Sequence, residues 1–409
     1  MMFYKETNFK ETPIGKVPKD WEVVRLTEVC MKIKAGGTPL TSKKEYYGGN
    51  IPFVKIEDLT ASHKYLRSTS ITITEVGLRN SSAWLVPPKS LLVAMYGSIG
   101  AMAINEIEVA TNQAILAMIP KEKKTSVEFL FYLLTYLKPY LERYAKQTTQ
   151  ANLTAEIIKN FKAPFPNYFE QQKIAEILST VDKAIQKTNE VIAKTERLKK
   201  GLMQELLTKG IGHKEFKDTE IGRIPKEWEV VRLEDITEIH DSKRIPLSEK
   251  ERSNRKGPYP YCGANGIIDY IDDYIFDGEF VLLAEDGGAY GKFENTAYIM
   301  SGKFWVNNHA HILQAIKGKS SNQFILYALN FLDLNPYVVG TTRKKLNQEQ
   351  MRAIKIPLPS LPEQQKIAEI LLTVDKKLEL ERNEKARLER IKQGLMDLLL
   401  TGKIRVKVD

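Results

Sequence analysis

Sixteen residues written twice constrain this chain more than anything else in it. EQQKIAEILSTVDKAI at 170–185 returns as EQQKIAEILLTVDKKL at 363–378, with thirteen positions identical. Asn167 with Glu170, and Ser360 with Glu363, have the cap-x-x-Glu spacing of a helix start in which two side chains satisfy orphan amides. Long helices follow. In the first, Ile174, Ile177, Val181, Ala184, Thr188, Val191, Thr195, Leu198 and Leu202 recur at alternating three- and four-residue steps, the spacing of a coiled-coil seam. The second carries Ile367, Ile370, Val374, Leu378, Leu388, Ile391 and Leu395. Such stripes need a partner in water. Each helix closes on a related phrase, GLMQELLTKGI and GLMDLLLTGKI, with Gly210 and Gly402 as stops. At ~1.5 Å rise, some 40 residues make a rod of roughly 60 Å, and the expected partner of one rod is the other, antiparallel to it.

A second repeat frames what lies between. FKETPIGKVPKDWEVVRLTEV at 9–29 recurs as FKDTEIGRIPKEWEVVRLEDI at 216–236, so the chain holds two copies of one domain. Trp21 and Trp228 are expected as packing residues. FLFYLLTYLKPY at 129–140 and FILYALNFLDLNPY at 324–337 read as apolar helices broken near a proline, and TTQANLT and TTRKKLN precede the proline-spaced strands KAPFP and KIPLP. The middles differ: one contains GGTPLTSKKEYYGGNIPFVKIEDL, VAMYGSIGAMAI and ATNQAILAMI, the other YPYCGANGIIDYIDDYIFDGE and FWVNNHAHILQAI. Their short β-rich runs between Gly, Asn and Asp predict curved sheets with loops. The reading is an α+β chain of two α/β globular domains separated by two long antiparallel coiled-coil helices, a pseudo-two-fold internal repeat. Its boundaries are 1–166, 167–210, 211–359 and 360–409.

Charge narrows the partners. Lys and Arg exceed Asp and Glu by ten, and the pI near 9.2 suits a polyanion. Residues 1–165 carry 22 basic and 15 acidic side chains, whereas 210–362 carry 20 and 21, with cations clustered at 243–256 and 343–345 and Asp269, Asp272, Asp273 and Asp277 on another stretch. That segregation predicts a basic face. Two isolated cysteines, no apolar leader in MMFYKETNFK and no run of ~18 apolar residues predict a cytoplasmic protein without a membrane partner.

Catalytic constellations are sparse. Gly318-Lys319-Ser320 lacks the leading glycine of a phosphate loop, where Leu313 stands, and Asn335-Pro336-Tyr337-Val338 lacks the second proline of an adenine methyltransferase loop. His309 and His311 alternate on a strand without a neighbouring Cys, Asp or Glu, so no metal site and no catalytic residue is assigned.

The doubled helices behind Pro-x-Pro strands, with the GGTPLTSKKEYYGGNIPFVKIEDL and YPYCGANGIIDYIDDYIFDGE runs, resemble the specificity subunit of type I restriction-modification systems over nearly the whole chain. The resemblance implies two target-recognition domains, each reading half of a bipartite asymmetric sequence in double-stranded DNA. It implies helices that space the halves and dock two methyltransferase subunits, with two restriction/translocase subunits completing the complex. No cofactor is then expected on this chain; S-adenosylmethionine, ATP and Mg belong to the partners. Expected DNA contacts, chosen as Lys, Arg, amides and aromatics in loops, are Lys43, Lys44, Tyr46, Tyr47, Lys64, Arg67, Gln147, Gln150 and Asn152 in the first domain. In the second they are Lys243, Arg244, Arg252, Asn254, Arg255, Lys256, Arg343, Lys344 and Lys345. The alternatives are a stand-alone two-domain DNA nuclease or methyltransferase, and a DNA-binding scaffold or regulator.

Overall fold

The computed structural model describes residues 3–98, 100–146, 153–340 and 344–407. The chain divides into two compact units, residues 1–187 with 385–409 and residues 188–384. Gln147, Gln150, Asn152 and Arg343 lie outside the described residues.

In the first unit a five-stranded sheet is built from β1 (Cys30–Ala35), β2 (Tyr65–Leu66), β3 (Leu91–Ala94), β4 (Met102–Asn105) and β5 (Ile115–Pro120), in the order β1-β5-β3-β4-β2. Its pairs are antiparallel except β4 with β2. The helix α1 (Val127–Lys146) packs Phe129, Leu130, Leu133 and Leu134 into the same core as Trp21 and Leu116. Pro139 sits inside α1, so the break expected there does not occur. The start of the long helix α2 (Tyr168–Leu206) adds Ile174, Ala175 and Leu178.

The second unit repeats this topology under different side chains. Its strands are β6 (Thr237–Ile239), β7 (Lys256–Gly263), β8 (Gly266–Ile271), β9 (Phe276–Ala284), β10 (Ala297–Val306) and β11 (Ala310–Ala315), ordered β6-β11-β9-β10-β7-β8. Again all pairs are antiparallel except that of β10 with β7. Only three residues join β10 to β11, so the β9–β10 ribbon must curl to bring those ends together. Gly278 and Gly302, paired across it at φ 144° and 84°, allow the bend. The helix α3 (Asn322–Phe331) covers this sheet, and α4 (Leu361–Leu400) begins beside it, with Ile367, Ala368 and Leu371 buried. In both units the proline-spaced strand pairs antiparallel with the Glu-Val-Val-Arg strand that follows the tryptophan, and Trp21 and Trp228 are buried.

Each unit contains part of both long helices, running antiparallel. In the first, Lys392 Nζ lies 2.6 Å from Asp182; in the second, Lys199 Nζ lies 2.5 Å from Asp375 and Arg382 bonds Glu196 at 2.8 Å. Ile174 and Ile367 are buried, and Ile177, Val181, Val191, Leu202, Ile370, Val374, Leu388 and Leu395 are half-buried. Leu198 and Ile391 do not join the seam: they are 55% and 40% exposed. They occupy equivalent places in the repeat, and in each case the next residue, Lys199 or Lys392, turns toward the facing helix to reach its aspartate.

The helix starts depart from the expected capping boxes. Asn167 Oδ1 does accept the Glu170 N–H (3.0 Å). The glutamates, however, go elsewhere, because a buried carboxylate gains more from several strong donors than from one amide. Glu363 accepts Trp228 Nε1 (3.0 Å), the Ile211 N–H (2.9 Å) and His213 Nε2 (2.9 Å). Glu170 takes a two-point contact from Arg405 (2.6 and 2.8 Å), which also reaches Glu6 and Asp20 and anchors strand Ile404–Val406 against Phe3–Lys5.

Arg405 and Glu170 are both almost fully buried. Replacing Arg405 by Leu strands the carboxylate and is expected to cost about 3–5 kcal/mol, measurable by urea unfolding, with much of the loss recovered in an R405L/E170L double variant. The Asn8 and Thr7 N–H groups, and then Arg405, hold the Glu6 carboxyl below its ordinary range, and the Arg405 hydrogen bond does the same for Asp20. A lowered folded value means stabilisation that is complete at neutral pH and lost as pH falls through it. Amide-exchange protection of Phe3–Lys5 and Ile404–Val406 should therefore fade below about pH 4, before that of β3.

Candidate nucleic-acid interface

One end of the central sheet gathers the loops of each unit, and the same bonds lace it in both. In the first unit the Met95 N–H donates to Ala114 O (2.8 Å), and Leu153 N–H donates to Met95 O (3.3 Å). In the second, Glu285 N–H donates to His309 O (2.9 Å), and Leu346 N–H to Glu285 O (2.7 Å). The segment after β3 or β9, the turn before β5 or β11, and the stretch ahead of the proline-spaced strand thus meet at one place. The turns match in detail. Asn112 Oδ1 accepts Ala114 N–H (3.0 Å), and Asn307 Oδ1 accepts His309 N–H (2.9 Å). The residues at their apices, Gln113 and Asn308, are exposed.

The chemistry around these turns differs. In the first unit Thr38 Oγ1 donates to Gln113 Oε1 (2.5 Å), beside a loop whose Leu40 is 61% exposed. In the second, a recess of about 360 Å³ opens between the β7–β8 hairpin and the turn, lined by Asn265, Ile268, Asp286, Asn307 and His309. His309 Nδ1 meets Asp286 at 2.7 Å, and Asn265 Nδ2 donates to Gly287 O (3.0 Å). The hairpin leaves Ile267, Ile268 and Tyr270 exposed. Beneath it His311, fully buried, lies between Asp241 Oδ2 (2.6 Å) and Leu346 O (2.7 Å). Burial alone would raise the Asp241 carboxyl, but the His311 hydrogen bond keeps it below its usual range. The fold thus supplies both histidines with carboxylates from distant sequence, and they do not share one site.

Most expected contact residues of the second unit spend their charge internally. Arg244 bonds Glu285 (2.5 Å) and Ala310 O (3.0 Å). Arg252 donates to Leu247 O (2.7 Å) and lies 3.5 Å from Asp269. Arg255 bonds Asp272 (2.9 Å) with Trp305 under its guanidinium, and Lys256 contacts both Asp269 oxygens (2.6 and 2.7 Å). Lys345 lies 3.0 Å from Glu285, and Lys344 Nζ donates to Asn335 (2.7 Å). The segregation read from sequence fails here because β7 and β8 form a hairpin. Its register sets Tyr261 opposite Asp269 and carries the acidic run onto the basic one. Lys243 and Asn254 are exposed.

In the first unit Lys43 and Lys44 are exposed, Lys43 lying 3.7 Å from Glu45. Tyr46 is buried, and Tyr47 is half-buried with its hydroxyl on Pro39 O (2.7 Å). Arg67 pairs with Glu106 (2.7 Å) at the surface. Lys64 is buried, donating to Tyr132 Oη (3.0 Å) and Ser179 Oγ (3.2 Å), and burial brings it down to about 8. Its two bonds tie α1 to α2. Gln113, Asn265 and Asn308 were not among the expected contacts; the Asn-initiated turn shared by TNQA and NNHA is the signal that points to Gln113 and Asn308.

The profile described as "Type I restriction modification DNA specificity domain" matches residues 18–197 and 225–390. The chain belongs to this DNA specificity family. Its similarity to the type I restriction enzyme MjaVIII specificity subunit of Methanocaldococcus jannaschii is 32% identity, covering 100% of this chain and 98% of the relative. The putative MjaX specificity subunit of the same organism is 31% identical over 100% and 99%. In fold, this specificity-family chain is similar to the crystal structure of a type I restriction-modification S subunit from M. genitalium. The TM-score is 0.60 at 16% identity, covering 95% of this chain and 97% of the other. No helix among the described residues is long and apolar enough to cross a membrane.

If the hairpin aspartates neutralise the cations beside them, D269N/D272N frees Arg255 and Lys256 for phosphate. Affinity for random duplex should then rise at low salt, and the slope of log K against log salt should steepen by about 1–2. Titration over a salt series measures both.

Proposed function

We propose that this chain is the DNA-specificity subunit of a type I restriction-modification complex, each unit reading one half of a bipartite, asymmetric duplex target. One observation carries the reading: two copies of a single sheet topology present the same laced end with different side chains. Conserving the frame while varying what it displays suits a protein that performs one recognition task on two sequences. The paired helices set the gap between the halves and offer long surfaces on which two methyltransferase subunits dock. B-DNA repeats one face every ~34 Å, a distance that a rod of two long helices spans.

The reading makes the chain a non-catalytic subunit that works in the cytoplasm. Both cysteines are buried, and burial pushes their thiols up to about 12, which suits packing better than attack. Adenine methylation with S-adenosylmethionine, and ATP- and Mg-dependent translocation and cleavage, are the work of the methyltransferase and two restriction/translocase subunits.

Co-expression with an adenine methyltransferase subunit, followed by genome-wide mapping of N6-methyladenine, should give a two-part motif that vanishes without this chain. Removing one heptad from each long helix at matching positions should change the number of base pairs between the halves and leave both half-sequences intact. Methylation of the unaltered target by the shortened protein would refute the spacer role.

A further inference from the structure

The strand registers of the two sheets superimpose, with one constant offset from β3 to β9 and another from β5 to β11. Ala94 faces Ile115 as Ala284 faces Ala310, and Val93 faces Leu116 as Leu283 faces His311. The two turns are therefore the same structural position, and Gln113 corresponds to Asn308. From this position we infer that Gln113 and Asn308 are base-reading residues, one for each half of the target. The inference rests on the proposal that each unit reads one half-site.

The turn itself does not require an amide at its apex. Its internal bond is made by the preceding asparagine in each case, Asn112 and Asn307. Asn307 is buried, so the backbone that carries Asn308 is fixed while the Asn308 side chain projects into solvent. Among the described residues the Asn308 amide has no hydrogen-bond partner, and only the oxygen of Gln113 is engaged, by Thr38. Two sheets that share so little sequence nevertheless place a carboxamide at the same exposed point, where the loops of each unit converge.

A carboxamide there has a defined chemistry. It presents one donor and one acceptor side by side, the pattern that pairs with N6 and N7 of adenine on the major-groove edge. Asn308 offers both groups. Gln113 has its oxygen shared with Thr38, which fixes the direction of the Nε2 donor, so its readout is the narrower of the two. Exposed Ile267 and Ile268 border the recess lined by Asn307 and His309, the residues on either side of Asn308, and offer the apolar contact that a thymine methyl favours. In the second unit an exposed apolar surface thus accompanies the carboxamide.

The test uses the full chain co-expressed with its methyltransferase subunits, the parent motif being mapped first. A parent motif that is not bipartite, or that persists without this chain, overturns the functional reading itself. Given a bipartite parent motif, Asn308→Ala should relax one base pair in one half by about 10- to 100-fold in relative methylation, and Gln113→Ala one base pair in the other half. Asn308→Gln, which keeps the carboxamide, should shift or partly restore the preference at that same base pair. Assembly is checked by thermal melting and gel filtration of each purified complex. An assembled variant complex with base preferences identical to the parent overturns the inference. So does a uniform fall in methylation at all sites with preferences unchanged, which marks a structural or phosphate role.

Discussion

Each unit is fastened to the long helices by one interaction made twice. Tyr132 of α1 donates to Asp182 of α2 (2.6 Å), which holds Lys392 of α4; Tyr327 of α3 donates to Asp375 of α4 (2.8 Å), which holds Lys199 of α2. A tyrosine from the globular part, an aspartate from one helix and a lysine from the other are thereby fixed together. Because each aspartate needs both donors, the helix cannot slide or rotate without stranding a charge in a half-buried setting. The lysine does here what a lone polar residue does in a coiled-coil core, exchanging some stability for a single register. The constraint explains why leucine and isoleucine stand outside the seam at 198 and 391, and it fixes how each sheet end is presented.

What was legible in the sequence was whatever the chain repeats locally. Identical helix phrases, the tryptophan strand and the proline-spaced strand could be read because periodicity and turn chemistry are short-range. The common topology of the middles could not. Tyr47–Val54 and Lys256–Gly263 serve different strands in sheets of different size, and the equivalence is visible only through strand pairing. The same limit misplaced the charges: which aspartate faces which arginine depends on hairpin register, and no count of residues along the chain supplies it. Glu170 and Glu363 were misread for a related reason, since their partners Arg405 and Trp228 lie far away in sequence.

Under the laced end the two units use opposite means of support. At matching positions the first has Met95, Leu116 and Leu153, all buried and apolar. The second has Glu285, His311 and Leu346, tied to Asp241, Arg244 and Lys345. An apolar floor tolerates hydrophobic substitution of similar volume, whereas a satisfied ionic floor depends on every partner being kept. One frame therefore carries two display surfaces on floors of opposite chemistry.

The Arg405 anchor also has a consequence for the order of events during synthesis. Most of the first unit, residues 1–187, is made before residues 188–384, yet the unit also includes residues 385–409. Glu170 must wait 235 residues for its guanidinium, and the core around Trp21 lacks Met396, Leu399 and Leu400 until then. Residues 188–384, by contrast, form an uninterrupted unit that can close as soon as it leaves the ribosome. The unit whose residues come earlier in the chain is thus completed after the unit that follows it, and its apolar core lacks a wall until residues 385–409 are added.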